Sequence, residues 1–308
     1  MQKLDSPAAT SAHQNYVPDE MKINNRIFKM RKFRYVFYTF FAFMATHIIF
    51  VLFINQKNSL QKPKSNFYFL PILRAGSSTV IPIFQKMALR YGMDAFFAED
   101  EVGLGESVSL EDCYFGSESG EKDFQLMFEK CVYNKTVVET TLGKNTKKIS
   151  ILRSPDELIL STWDFYRHQN KLHNVISMIE DRFGDSTNEE AFNHFVNNYE
   201  LLIATDPHLS HAFENPQASM FTDDFILLAN IADLIHFISH EFDLILITEK
   251  LEESLAVMMV KFDLTLEDIV TLKQNQFRSD DKLSRATISS VSKSKILEMT
   301  ELDHQIYR

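Results

Sequence analysis

The sequence predicts an α/β fold with a central parallel sheet flanked by helices, preceded by one transmembrane helix. Two observations carry the sheet. The runs Phe67–Leu73, Lys148–Leu152 and Phe242–Thr248 are mostly apolar, as strands buried on both faces should be. Each passes within a few residues into a stretch with apolar positions at helical spacing, and strands alternating with helices across short turns favour parallel pairing. The third observation is residues 35–54, which hold no Asp, Glu, Lys or Arg over a length sufficient to cross a bilayer as a helix.

In chain order, residues 1–34 read as a cytosolic tail that turns basic from Lys22 onward. Residues 35–54 follow as a transmembrane signal anchor, 55–66 as a stem containing Pro63, and 67–308 as a lumenal domain. The orientation comes from the positive-inside rule, because Lys22, Arg26, Lys29, Arg31, Lys32 and Arg34 precede the apolar run and fewer cations follow it. Residues 1–34 hold seven Lys or Arg against three Asp or Glu, a balance of +4, so the rest of a chain of net charge −10 carries −14. An acidic domain of that size argues against nucleic acid or other polyanions as partners. Any anion it binds needs a local pocket of N–H groups and a few cations.

The first strand leads into Arg74-Ala75-Gly76-Ser77-Ser78-Thr79 and then a helix pattern with Val80, Ile83, Phe84, Met87 and Ala88 on one face. A strand, a small-residue turn and a helix N-terminus together offer several backbone N–H groups to one anion. Gly76 permits close approach, the three hydroxyls add donors, and Arg74 adds a planar cationic fork. The plainer reading is an ordinary strand-to-helix turn with a Ser or Thr cap. Pro71 sits inside the apolar run, where it cannot donate to a ladder and implies an edge or a break.

The second strand runs into Arg153-Ser154-Pro155-Asp156 and a helix over 156–168. Ser161, about a turn and a half in, is placed to face the same pocket as Arg153. The third strand ends at Glu249, and ligands of parallel sheets sit at the carboxyl ends of strands, where Arg74, Arg153 and Glu249 all fall. Further helices are expected over 171–182, 188–203 and 223–240, and residues 92–125 read as loop. His236 and His240 have metal-pair spacing, but no further ligand is evident and helix-face histidines are the simpler reading. His208, His211, His168 and His173 each have the chemistry of a general base, and the sequence does not choose among them. Asn134-Lys135-Thr136 is the sole glycosylation sequon. Cys113 and Cys131, the two cysteines, lie on the lumenal side, where an oxidising compartment allows them to pair or to remain thiols.

Three blocks together carry a resemblance: FYFLPILRAGSST, ISILRSPDELILSTWDFY and FDLILITEKLEESLAVMMVKFDLTLEDIVTLKQNQ. In order and spacing they resemble the Golgi galactose-3-O-sulfotransferase family over roughly residues 65–308. The resemblance implies a P-loop-like sulfotransferase fold and a single-pass type II Golgi membrane protein. It implies transfer of a sulfuryl group from 3'-phosphoadenosine-5'-phosphosulfate to the 3-hydroxyl of galactose on a glycolipid or glycoprotein glycan, with no metal. On this resemblance Arg74, Ala75, Gly76, Ser77, Ser78 and Thr79 form the 5'-phosphosulfate loop, and Arg153 with Ser161 the 3'-phosphate motif. Arg74 and Glu249 are the catalytic candidates. The family's loop reads K-T-H-K-T-[GA]-S-S-T, so Arg74 replaces a lysine and Leu73 a histidine. Leucine cannot transfer a proton, and loss of a base costs on the order of 10²–10⁴ in rate. Either another group takes the role, or the chain is a weakened or inactive relative that binds nucleotide or glycan. Both expectations stand at this point, as does a homo-oligomeric state.

Overall fold

The computed structural model describes residues 43–47, 63, 65–96, 124–128, 130–205, 208–222, 224, 228–271, 283–284 and 288–308. The chain divides into two units, Met1–Gln61 and Lys62–Arg308. In the first, residues 43–47 are helical and exposed, and the Thr46 hydroxyl donates to the Phe43 carbonyl at 2.8 Å. The rest of the expected anchor lies outside the described residues. Among those described, no helix is long and apolar enough to cross a membrane.

The second unit is a parallel α/β sheet with helices around it. Its strands are β1 (Phe67–Leu70), β2 (Ala95–Phe96), β3 (Leu126–Met127), β4 (Lys147–Leu152) and β5 (Leu244–Ile247), in the order β2-β3-β1-β4-β5. All four pairings are parallel. From β1 the chain passes through helix α1 (Ser77–Tyr91) to one side of the sheet, and from β4 it passes to the other side. The strand order therefore reverses beside β1 and β4, and a crevice opens at their carboxyl ends. β1 stops at Leu70, so Pro71 falls after the strand and no ladder is broken. The two-residue strand β2 lies in the stretch expected to be loop.

Between β3 and β4 runs α2 (Lys135–Leu142). After β4 come α3 (Pro155–His168), α4 (His173–Phe183), α5 (Asn188–Asn197), α6 (Tyr199–Thr205), α7 (His208–Phe213), α8 (Ala218–Phe221) and α9 (Ile231–Glu241). β5 is followed by a 3₁₀ turn at Thr248–Lys250, then α10 (Leu251–Lys261), α11 (Leu266–Ile269), α12 (Ser290–Met299) and α13 (Glu301–Tyr307). The single helix expected over 188–203 is two helices joined at Asn198, whose side-chain amide donates to the His194 carbonyl at 2.9 Å.

Two hydrophobic clusters meet along α3. One is the sheet core, with Phe67, Phe69, Val80, Phe84 and Leu158. The other is helical, with Ile159, Trp163, Phe192, Phe195 and Phe213. Because α3 turns Leu158 toward the first and Trp163 toward the second, both cores hold the helix that follows Arg153.

Near the amino-terminal end of β4, Glu241 accepts hydrogen bonds from Tyr133, Lys148 and, at 2.8 Å, Lys135. Burial alone would raise its carboxyl, but these donors overcome burial and hold it down to about 2. Asp303 of α13 is the opposite case: complete burial pushes it up to about 7 despite accepted backbone N–H bonds. Stability from Glu241 is therefore present above its ordinary 4.5 and lost as pH falls toward 2. Stability linked to Asp303 is present below its ordinary 3.8 and lost as pH rises through about 7, with a slope of at most about 1.4 kcal/mol per pH unit. Thermal midpoints should thus peak between these limbs. Asp303→Asn should flatten the neutral limb and Glu241→Gln the acid one. An unchanged neutral limb in Asp303→Asn would remove the assignment.

Candidate functional site at the β1–β4 crevice

After β1, Pro71 and Ile72 stay buried and the chain turns over Leu73–Gly76. The Ile72 carbonyl accepts from the Ala75 N–H at 3.3 Å and from the Ser77 hydroxyl at 2.7 Å. Arg74 holds φ 61, whereas the other non-glycine residues with positive φ among those described are Asn or Asp. An arginine in the left-handed region costs about 1–2 kcal/mol, and strain of that kind concentrates at functional positions. Gly76 has φ 90. A methyl group there would meet Thr248 Cγ2 at 3.5 Å and Ile151 Cδ1 at 3.6 Å, which is ordinary contact, so backbone conformation rather than space calls for glycine.

Gly76 is the N-cap of α1 and offers no side chain to cap it. Among the described residues the N–H groups of Gly76, Ser77 and Ser78 find no acceptor. A 15-residue helix thus begins with free donors and a positive dipole end, the arrangement that accepts an anion.

The turn after β4 is held against this one. Arg153 Nη1 donates to the Arg74 carbonyl at 2.9 Å, and Arg74 Nε donates to Ser161 Oγ on α3 at 3.2 Å. The Arg74 guanidinium lies 4.3 Å from the Phe165 ring centroid. Burial, and next the positive charge of Arg153, lower Arg74 from its ordinary value. Burial also lowers Arg153, opposed by Glu157 and Glu249. Two cations are therefore kept close in a partly dehydrated place where they repel, a cost that a bound anion would relieve.

Thr248 closes the arrangement from β5. Its hydroxyl is shared between the carbonyls of Ala75 and Leu152, the latter at 2.9 Å. Glu249 Oε1 accepts the Ser154 N–H at 2.8 Å and Oε2 accepts the Tyr307 hydroxyl at 2.9 Å. Two spaces flank the turns. A small one of about 40 Å³ is lined by Leu73, Arg74, Phe165, Tyr166 and His211, among others. An open cleft of about 620 Å³ is lined by Arg153, Ser154, Glu157, Thr248, Glu249 and Tyr307.

The sequence-predicted residues thus converge, with qualifications of geometry. Arg74, Arg153 and Ser161 join through direct hydrogen bonds, yet the two guanidinium groups line adjoining spaces rather than one cavity. Ala75, Ser77 and Thr79 are buried and Ser78 half-buried. The Ser77 hydroxyl serves the turn itself. Glu157 Oε2 stands 3.7 Å from Arg153 Nη2. His236 and His240 lie 3.9 Å apart between ring centroids, tilted by 39°, on the exposed side of α9. Thr248, Phe165 and Gln217 escaped sequence reasoning. A threonine closing the third apolar run was the available sign for the first, and an aromatic one turn beyond Ser161 for the second.

Two predicted modification sites lie elsewhere. Asn134 is the half-buried N-cap of α2, and its side-chain oxygen accepts the Val137 N–H at 3.2 Å. Cys131 is buried and disulfide-bonded, and Cys113 lies outside the described residues.

The fold is a parallel α/β sheet whose crevice carries an uncapped helix start and two neighbouring arginines, an arrangement chemically suited to an anionic group. The chain belongs to the galactose-3-O-sulfotransferase family, whose model matches residues 34–308. It is 24% identical over 253 residues to human galactose-3-O-sulfotransferase 2, covering 80% of this chain and 59% of that relative. The chain thus spans under two thirds of the length of the curated relative it matches.

Proposed function

We propose that this protein transfers a sulfuryl group from 3'-phosphoadenosine-5'-phosphosulfate to the 3-hydroxyl of a galactose on a glycan, as a type II Golgi membrane protein with its P-loop-like catalytic domain in the lumen. The observation that carries the reading is the uncapped N-terminus of α1 beside the Arg74–Arg153 pair. The N–H groups of Gly76, Ser77 and Ser78 would hold the 5'-phosphosulfate, and Arg153 with Ser161 the 3'-phosphate. The galactose oxygen attacks sulfur as the bond from sulfur to the bridging phosphate oxygen breaks. Negative charge grows on the departing adenosine 3',5'-bisphosphate, where Arg74 would supply the stabilising cation. The hydroxyl proton passes to a base.

For that base, His211 is better supported than Glu249. His211 lines the same space as Leu73 and Arg74, on the side where the family's histidine would stand. Both oxygens of Glu249 already accept hydrogen bonds, from Ser154 and Tyr307. An active His211 also separates this reading from that of a non-catalytic relative that binds nucleotide or glycan.

Transfer of labelled sulfate from the donor to a panel of galactosides tests the proposal. Turnover is expected, and His211→Ala should lower kcat by about 10²–10⁴. Leu73→His in the His211→Ala background should restore part of it. Nucleotide binding without turnover on any galactoside would leave the non-catalytic reading in its place.

A further inference from the structure

We propose that α13 is a brace that sets the protein's preference for a 3'-phosphorylated nucleotide, acting through Gln217 and Asp303 as positioning residues for Arg153. The proposal rests on the reading of Arg153 as the 3'-phosphate cation. Gln217, Asp303 and Tyr307, which make up the brace, lie outside the three blocks that carry the family resemblance.

Gln217 is fully buried and grips the Arg153 backbone at two points. Its Oε1 accepts the Arg153 N–H at 2.9 Å and its Nε2 donates to the Arg153 carbonyl at 2.9 Å. A side-chain amide thus continues the hydrogen-bonding pattern of β4 one residue beyond the strand's end and fixes where the Arg153 side chain begins. Gln217 is itself fixed by Asp303, whose carboxylate accepts the Gln217 N–H at 3.1 Å and the Ala218 N–H at 2.7 Å. The exchange is reciprocal. Asn215 Oδ1 accepts the N–H groups of Leu302 at 2.8 Å and Asp303 at 3.3 Å, so each segment caps the other's helix start. A second arm reaches the next residue along, because Tyr307 donates to Glu249 and Glu249 accepts from the Ser154 N–H.

Both arms start on one seven-residue helix and end on adjacent residues of one turn. Neither touches the α1 N-terminus, which Thr248 and Ile72 hold instead. The brace should therefore act mainly on the grip for the 3'-phosphate and reach the 5' end only through the bond from Arg153 to the Arg74 carbonyl. The Gln217–Asp303 arm is buried, so it holds one geometry because any other leaves an orphaned donor or acceptor, whereas the Tyr307–Glu249 arm is exposed and weaker.

The measurable quantity is the ratio of affinities for adenosine 3',5'-bisphosphate and for AMP, read by calorimetry on the wild-type chain and folded variants. Wild type should favour the bisphosphate strongly, and Arg153→Ala should abolish that preference. Gln217→Ala, or the near-isosteric Gln217→Glu if the first does not fold, should cut the ratio about tenfold, with AMP affinity changing by a much smaller factor. Tyr307→Phe should cut it by a smaller factor. A ratio unchanged in folded Gln217→Glu and in Tyr307→Phe, with Arg153→Ala still abolishing it, overturns the brace and spares the functional reading. No preference in the wild type overturns the role of Arg153 itself, and the brace falls with it.

Discussion

Arg74→Ala is expected to lower kcat for sulfuryl transfer by about 10²–10³, the usual loss when one charge-stabilising donor leaves a reacting centre. The expectation follows from where the side chain is held. Phe165 supports one face of the guanidinium at 4.3 Å and Ser161 accepts from Nε at 3.2 Å. Those contacts leave the terminal nitrogens to meet an incoming anion. The left-handed backbone at φ 61 aims the side chain along α3, and Arg153 anchors that backbone through the Arg74 carbonyl. Arg74→Lys retains charge but loses the planar stack and the Nε donor, so an intermediate loss is expected even though lysine is the family's residue. Steady-state kinetics with labelled donor distinguish the roles. A fall in kcat and kcat/KM together marks an interaction made in the transition state, whereas a rise in KM alone would reduce Arg74 to a binding group.

The parts of this site visible in the sequence are those that depend on local pattern. Apolar runs followed by amphipathic stretches located β1, β4 and β5 and the helices after them, because burial on both faces leaves a continuous apolar signature. Arg153 directly follows β4, whereas Arg74 stands four residues beyond β1, which is shorter than its apolar run. What could not be read was set by pairings distant in sequence. Thr248 meets Ala75 across 173 residues and Gln217 meets Arg153 across 64, and no periodicity encodes either contact. Two-residue β2 and β3 are too short to show a strand period and exist because β1 offers an edge to β3 and β3 offers one to β2. The break at Asn198 was hidden because apolar residues continue at helical spacing through α6.

Trp163→Ala should destabilise the fold by about 3–5 kcal/mol, a large share of the 5–15 kcal/mol that holds a typical domain together. Trp163 is completely buried, with its ring 5.0 Å from Phe195 and 5.4 Å from Phe192 between centroids. Its indole N–H donates to Asn188 at 2.8 Å, at the start of α5. Removing the ring opens a cavity between α3 and α5 that neighbouring aromatics cannot close without leaving their rotamers. Trp163→Phe keeps most of the packing and forfeits the hydrogen bond, so about 1–2 kcal/mol is expected. Urea denaturation followed by circular dichroism gives both values. Because Trp163 stands two residues after Ser161 on α3, the consequence reaches the crevice. A loosened α3 lets Ser161 and Phe165 drift from Arg74, so at temperatures where the alanine variant is still folded its kcat should fall while the phenylalanine variant's holds. Equal activity in both would mean that the sheet core alone, through Leu158, suffices to position the helix.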